Sequence, residues 1–273
     1  MKKIIARIIF ILALICFCFS AFSLIRYGLQ TLKTREGIRE LADQVNHDIP
    51  VNIKDAGEAD VSDPEKAAEA AKDDAAAMMA KYGKLYEQNQ DFIGWLTVED
   101  TPIDLPVMYT PADPEHYLRK NFYGDYDIGG MLFIDARCTL DPEDHVSTDT
   151  IIYGHRMKNA TMFGPLKDFK DPDYCEAHTT VYFDTLYRPG TYRVFAAFLS
   201  RAYDDDSDAF KYYDFIEAEN AAEFDAYLTN IQALSHWYDA ENAPVFGDEL
   251  ITLSTCDYYT DDGRLAIVAK RID

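Results

Sequence analysis

Leu250-Ile-Thr-Leu-Ser-Thr-Cys256 is a β-rich run that ends on a thiol. Successive side chains on a strand point to opposite faces, so Ile251 and Leu253 share one face and Thr252, Ser254 and Cys256 the other. The apolar face belongs against a core. A face of two hydroxyls and a thiol at the strand's last position reads as the edge of a site. The segment Asp257 to Gly263 separates this run from a second β-rich run, Arg264 to Ala269. So short a connection favours neighbouring strands, which brings Arg264 back near Cys256. The competing reading of Arg264 is a strand-end cation paired with Asp261 or Asp262.

The same texture extends upstream to Asp91. Phe92–Val98, Ile103–Met108, Met131–Ile134, Thr150–Tyr153, Thr180–Phe183 and Thr191–Leu199 are further short runs rich in β-branched and aromatic residues. Turn residues divide them, among them Pro111, Asp113-Pro114, Gly129-Gly130, Pro189-Gly190 and Asp262-Gly263. About eight short strands in some 180 residues predict a mostly β fold, a closed or nearly closed eight-stranded barrel. One helix interrupts the series before the penultimate strand. Asn220 caps it, Glu223 follows three residues on, and Phe224, Tyr227, Leu228, Ile231 and Leu234 fall on one face, as for a helix covering the barrel. Asp204-Asp-Asp206 and Asp208 make an acidic loop, read as solvated because the Gly and Glu of an EF-hand are out of register.

Residues 1–7 carry Lys2, Lys3 and Arg7. Residues 8–25 are then uncharged and mostly Ile, Leu, Phe and Ala, and about 18 apolar residues is near the minimum for a bilayer span. A cleaved signal peptide is the competing reading, with Ser20, Ala21 and Ser23 loosely supplying a cleavage site. The run continues past them through Phe22, Leu24 and Ile25, which favours an uncleaved transmembrane anchor. Residues 26–90 read as a helical stalk or arm. Ser62-Asp-Pro-Glu65 has the form of a helix start, and Met78, Met79, Tyr82, Leu85 and Tyr86 give an apolar stripe beyond it. Residues 91–273 are then the catalytic domain.

The 273 residues carry a formal net charge of −22, which argues against nucleic-acid binding. Of five cysteines, Cys16 and Cys18 lie in the apolar run, leaving Cys138, Cys175 and Cys256. Three is odd, no zinc spacing joins them, and a disulfide framework is excluded by count. A single reactive thiol is the more informative reading. A thiol attacks as thiolate, or when a base takes its proton. Of six histidines, His155 is the best partner, because it follows Thr150-Ile-Ile-Tyr-Gly154 at the end of a β-run. His47 sits in the arm, and His116, His145, His178 and His236 in polar loop or helix contexts. Attack on an amide builds charge on the carbonyl oxygen, and Arg264 offers a permanently charged fork of donors.

Thr252-Leu-Ser-Thr-Cys256 with Arg264 on the next strand resembles the signature of the sortases, and Tyr153-Gly-His155 resembles that family's histidine motif. Ile151 to Lys158, then Met162-Phe-Gly164, the helical arm and the helix after Thr191–Leu199 look most like class B sortases. The resemblance spans roughly residues 91–273. It implies an eight-stranded barrel on a membrane tether, N-terminus cytoplasmic and enzyme outside a Gram-positive cell. It also implies a cysteine transpeptidase with Cys256 as nucleophile, His155 as proton donor and acceptor, and Arg264 as transition-state stabiliser. Ser254 and Thr255 would line the substrate groove, and Asp257 receives no role. No metal and no cofactor is implied. The substrates would be surface proteins with a C-terminal sorting signal, of an Asn-Pro-x-Thr type in class B relatives, cleaved after Thr. The acceptor would be a peptidoglycan or pilin amine. The alternatives are a cysteine peptidase using water and a non-catalytic surface-binding barrel.

Overall fold

A computed structural model describes residues 2–46, 64–142, 145–204 and 206–273. Its elements in chain order are α1 (Lys2–Ala42), α2 (Pro64–Gln88), β1 (Phe92–Val98), β2 (Asp104–Met108), β3 (Leu132–Ile134), β4 (Leu140–Asp141), β5 (His145–Val146), β6 (Asp149–Gly154), α3 (Pro172–Ala177), β7 (Thr180–Thr185), β8 (Thr191–Arg201), α4 (Ala221–Leu234), β9 (Ser235–Tyr238), β10 (Leu250–Cys256) and β11 (Gly263–Arg271). The chain divides into two units, Met1–Glu40 and Leu41–Asp273.

The first unit is helical. Among the described residues α1 is the one helix long and apolar enough to cross a membrane. Its large side chains, such as Phe17, Phe19 and Leu24, are exposed on all sides, as a lipid-facing helix requires. At about 1.5 Å per residue the helix outruns a hydrocarbon core of about 30 Å. It therefore continues unbroken through the start of the arm expected from residue 26.

The second unit is built around a closed ring of strands. The order is β11-β10-β6-β3-β2-β1-β7-β8, and β8 pairs back onto β11 to close an eight-stranded mixed barrel. All eight runs read from the sequence are strands of that ring. β7 pairs with the first residues of β8 and β9 with its middle, so both share one edge of that long strand. β4, β5 and β9 were not foreseen: two to four residues are too few to show a period.

Alternation along β10 sends Ile251 and Leu253 into the barrel, where they are 0% and 1% exposed. The opposite face is equally dry. Leu250 packs outward under α4 with Phe224, Tyr227 and Ile231, against Phe195 and Phe198 of β8. Burying each such side chain contributes about 1.5–3 kcal/mol. As expected, Asn220 caps α4, its Oδ1 accepting from Glu223 N at 3.1 Å. Leu234 does not join the packed face and is 41% exposed. The cap expected at Ser62 lies outside the described residues, as do His47 and Asp205 of the acidic loop. α2 uses Met78, Tyr82 and Leu85 for packing and leaves Met79 exposed. Tyr82 stacks on Trp95 of β1, and its hydroxyl donates to Asp184 Oδ2 at 2.7 Å.

The covered face of β10 encloses a carboxyl. Asp149, the first residue of β6, is fully buried. Its Oδ2 accepts from Thr252 Oγ1 at 2.7 Å and Tyr227 OH at 3.0 Å, while Oδ1 has no partner. Burial pushes this carboxyl up to about 7, against the two hydrogen bonds that lower it.

Candidate active site

Three strand ends meet at one rim of the barrel. β10 runs antiparallel to β11 in a register that sets Cys256 directly opposite Arg264. The same β10 runs parallel to β6, with Thr255 beside Gly154. His155, one residue past that pair, therefore flanks Cys256 on the side away from Arg264. Directly opposed residues in an antiparallel pair have Cβ atoms about 5 Å apart. The short hairpin thus returns Arg264 to the thiol, as its length suggested.

Gly154 is required where it stands. A Cβ there would lie 2.5 Å from Leu132 Cδ2 and 2.6 Å from the Phe163 ring. The missing side chain lets Phe163 pack close beneath the turn, and Phe163 N donates to His155 O at 3.0 Å. The turn that aims the histidine is held from below.

Cys256, His155 and Arg264 line one cleft of about 500 Å³. Leu118 and Pro114 form one bank, while Tyr212, Tyr213 and Ala202 contribute to the rest of its wall. Cys256 is partly exposed there, whereas Cys138 and Cys175 are buried. Burial also pushes both of those thiols up to about 12. The thiolate form is thus remote for them at neutral pH.

The His155 ring is oriented by a carbonyl. Its Nε2 lies 2.8 Å from Leu118 O, which can only accept, so Nε2 carries a proton. Nδ1 is left as the nitrogen that exchanges a proton. The imidazole is held below its ordinary 6.5, by burial first and then by the charge of Arg119, while the Leu118 carbonyl works the other way. Arg264 Nη1 donates to the backbone oxygens of Asp262 and Gly263, each at 3.1 Å. Among the described residues no carboxylate pairs with it, so the alternative of an Arg264 ion pair with Asp261 or Asp262 does not hold. Its charge stays available to the cleft.

Ser254 and Thr255 line the cleft, but their hydroxyls are engaged internally. Ser254 Oγ shares a hydrogen bond of 2.7 Å with Tyr212 OH, and Thr255 Oγ1 donates to Gly154 O at 2.7 Å. They are 1% and 2% exposed. Thr252 is further in, bonded to Asp149, so of the polar face of β10 only Cys256 opens toward solvent.

Sequence reasoning did not single out Tyr212, Arg156 or Lys170 and gave Asp257 no role. The Asp257 side chain is 0% exposed. Its Oδ2 takes Arg156 Nη1 at 2.6 Å, and its Oδ1 takes Lys170 Nζ at 2.7 Å and Tyr259 N at 3.0 Å. The only local signal was that one acidic residue follows the cysteine and one basic residue follows the histidine.

A family model described as the sortase domain matches residues 96–272. The chain belongs to the sortase family, in its B subfamily. Sortase B of Listeria monocytogenes is 34% identical over 191 residues, covering 69% of this chain and 72% of that one. Sortase B from Bacillus anthracis in complex with AAEK1 is 32% identical, with a TM-score of 0.59 over 70% of this chain and 83% of that structure. The Staphylococcus aureus sortase B–substrate complex is 26% identical, with a TM-score of 0.62 over 77% of this chain and 97% of that structure. This sortase is a cysteine transpeptidase that acts on a sorting-signal substrate and transfers it to an amine acceptor. That removes the non-catalytic barrel as a reading.

Proposed function

We propose that Cys256 is the acyl-forming nucleophile, His155 its proton donor and acceptor through Nδ1, and Arg264 the cation that stabilises the tetrahedral oxyanion. The observation that carries this is the strand register, which sets the thiol opposite Arg264 and beside His155 at one cleft. In the first half-reaction the Cys256 sulfur attacks the carbonyl carbon of the motif's Thr. The C–N bond breaks, His155 gives its proton to the leaving amine, and a thioester remains. In the second half an amine attacks that thioester. His155 takes the amine's proton, the C–S bond breaks, and a new amide forms. Arg264 offsets the oxyanion charge in both halves, a contribution of about 3–4 kcal/mol for a well-placed donor.

The surface of this chain meets surface proteins and the cell wall. The acceptor we propose is a peptidoglycan or pilin amine, and the motif one of the Asn-Pro-x-Thr type. Ser254 and Thr255 serve as floor of the substrate groove, shaping it by their backbone and packing. The single-pass helix places Lys2, Lys3 and Arg7 in the cytoplasm and the barrel outside. The division into residues 1–7, a membrane anchor at 8–25, an arm at 26–90 and a catalytic barrel at 91–273 follows. The test is a sorting peptide incubated with and without an amine. Amide product that forms only with the amine supports transfer. Hydrolysis alone under both conditions makes the enzyme a peptidase with water as acceptor.

A further inference from the structure

Asp257 is a buried carboxylate facing two cations, beside the nucleophile but outside the three-residue site. Arg156 immediately follows His155, and Lys170 ends the 3-10 turn Gly164–Lys170. The chain from His155 to Lys170 is thus a loop whose first side chain and last side chain both close on one carboxylate. That carboxylate belongs to the residue after Cys256. Arg156 is held from its other side as well, its guanidinium carbon 4.9 Å from the centre of the Tyr258 ring. The loop is otherwise organised about the His155 carbonyl, which accepts from Met157 N at 3.1 Å and Phe163 N at 3.0 Å.

Asp257 does not orient the imidazole directly. Nε2 is bonded to Leu118 O, and both Asp257 oxygens are taken by Arg156, Lys170 and Tyr259 N. Its connection to the histidine runs through the backbone of residue 156. We propose that Asp257 is a positioning residue, a clamp on Arg156 and Lys170 that holds the His155 loop in register with the strand end bearing Cys256. The inference rests on the assignment of Cys256 and His155 as the reacting pair. A displacement of about 1 Å between reacting groups costs on the order of 100-fold in rate. Without the clamp two cations, with side chains 19% and 34% exposed, lose their counter-charge. They then draw the loop toward solvent.

The test uses the full-length chain in detergent micelles, with a sorting peptide and an amine. D257N and R156M are each expected to lower kcat about 10- to 100-fold with KM within about twofold, because neither side chain lines the cleft. The double variant should lose no more than the worse single variant, since both remove one contact. R156K, which keeps the charge, should recover most of the R156M loss, and the alkaline limb of the D257N pH profile should stay in place. Unchanged kcat in D257N, multiplicative losses in the double variant, or a loss carried by KM overturns the clamp. Should D257N not fold, the R156M and R156K pair decides the same question. C256A separates the two levels: an inactive C256A beside a fully active D257N sinks the clamp alone, whereas an active C256A sinks the assignment beneath it.

Discussion

Asp149 makes the stability of the barrel depend on pH in an unusual direction. Its carboxyl ordinarily titrates near 3.8 and is pushed up to about 7 in the fold, chiefly by burial and slightly by Asp135. Between those values the folded chain holds the proton that the unfolded chain gives up. The stability attached to the protonated group is complete below about 3.8 and is lost as pH rises through about 7. At about 1.4 kcal/mol per tenfold the full difference is roughly 4 kcal/mol, and relaxation around the ionised carboxylate brings the expected reading to about 2–4 kcal/mol. Asp149→Asn keeps an oxygen for Tyr227 and Thr252 and cannot ionise. Its amide stands where Oδ1 has no partner, a pH-independent cost of about 1–3 kcal/mol. Urea unfolding of both full-length chains in micelles, followed by tryptophan fluorescence from pH 4 to 8.5, isolates the effect as a difference. The Asn variant should gain about 2–4 kcal/mol on the parent across that range. Parallel stability curves, or a variant that loses ground as pH rises, refute the reasoning, because they mean the buried carboxyl ionises without penalty.

Three further outcomes follow from the same geometry. A peptide-mimetic thiol reagent should label Cys256 and leave Cys138 and Cys175 unmodified in the folded chain, as read by peptide mass mapping; labelling of either buried thiol contradicts the burial argument. Arg119→Gln keeps a donor for Ile128 O but removes a charge that holds His155 down, so the imidazole should stay protonated to higher pH. The alkaline limb of kcat/KM then moves upward, and an unmoved limb shows that Arg119 does not act on the ring. Gly154→Ala inserts a methyl against Leu132 and Phe163 and should destabilise the fold by about 1–3 kcal/mol while lowering kcat. A variant matching the parent in thermal melting and turnover would show that the turn has room.

The parts of the site that were legible in the chain are the local ones. Cys256 and Arg264 are joined by a short connection, and strand pairing then dictates that they face each other. His155 joins them through the parallel pairing of β6 with β10, and parallel strands need long crossovers that leave no local trace. Only the family's motif connected the two ends. Alternation along β10 held, yet it does not say which layer covers a face. Thr252 and Ser254 are polar because they meet Asp149 and Tyr212 under a lid of aromatic side chains, and that lid comes from the connection between β8 and β10. Asp257 was visible as a neighbour of the cysteine. Its burial was not, because Lys170 and Arg156 reach it from 87 and 101 residues away.

The central claim is that Cys256 carries the substrate as a thioester. Full-length enzyme mixed with a sorting peptide, quenched in acid and measured by intact mass, should gain the mass of the peptide through its Thr. Peptide mapping should place that adduct on Cys256, an added amine should discharge it, and Cys256→Ala should show neither adduct nor cleavage. Undiminished cleavage in that variant, or an adduct on Cys138 or Cys175, contradicts the account.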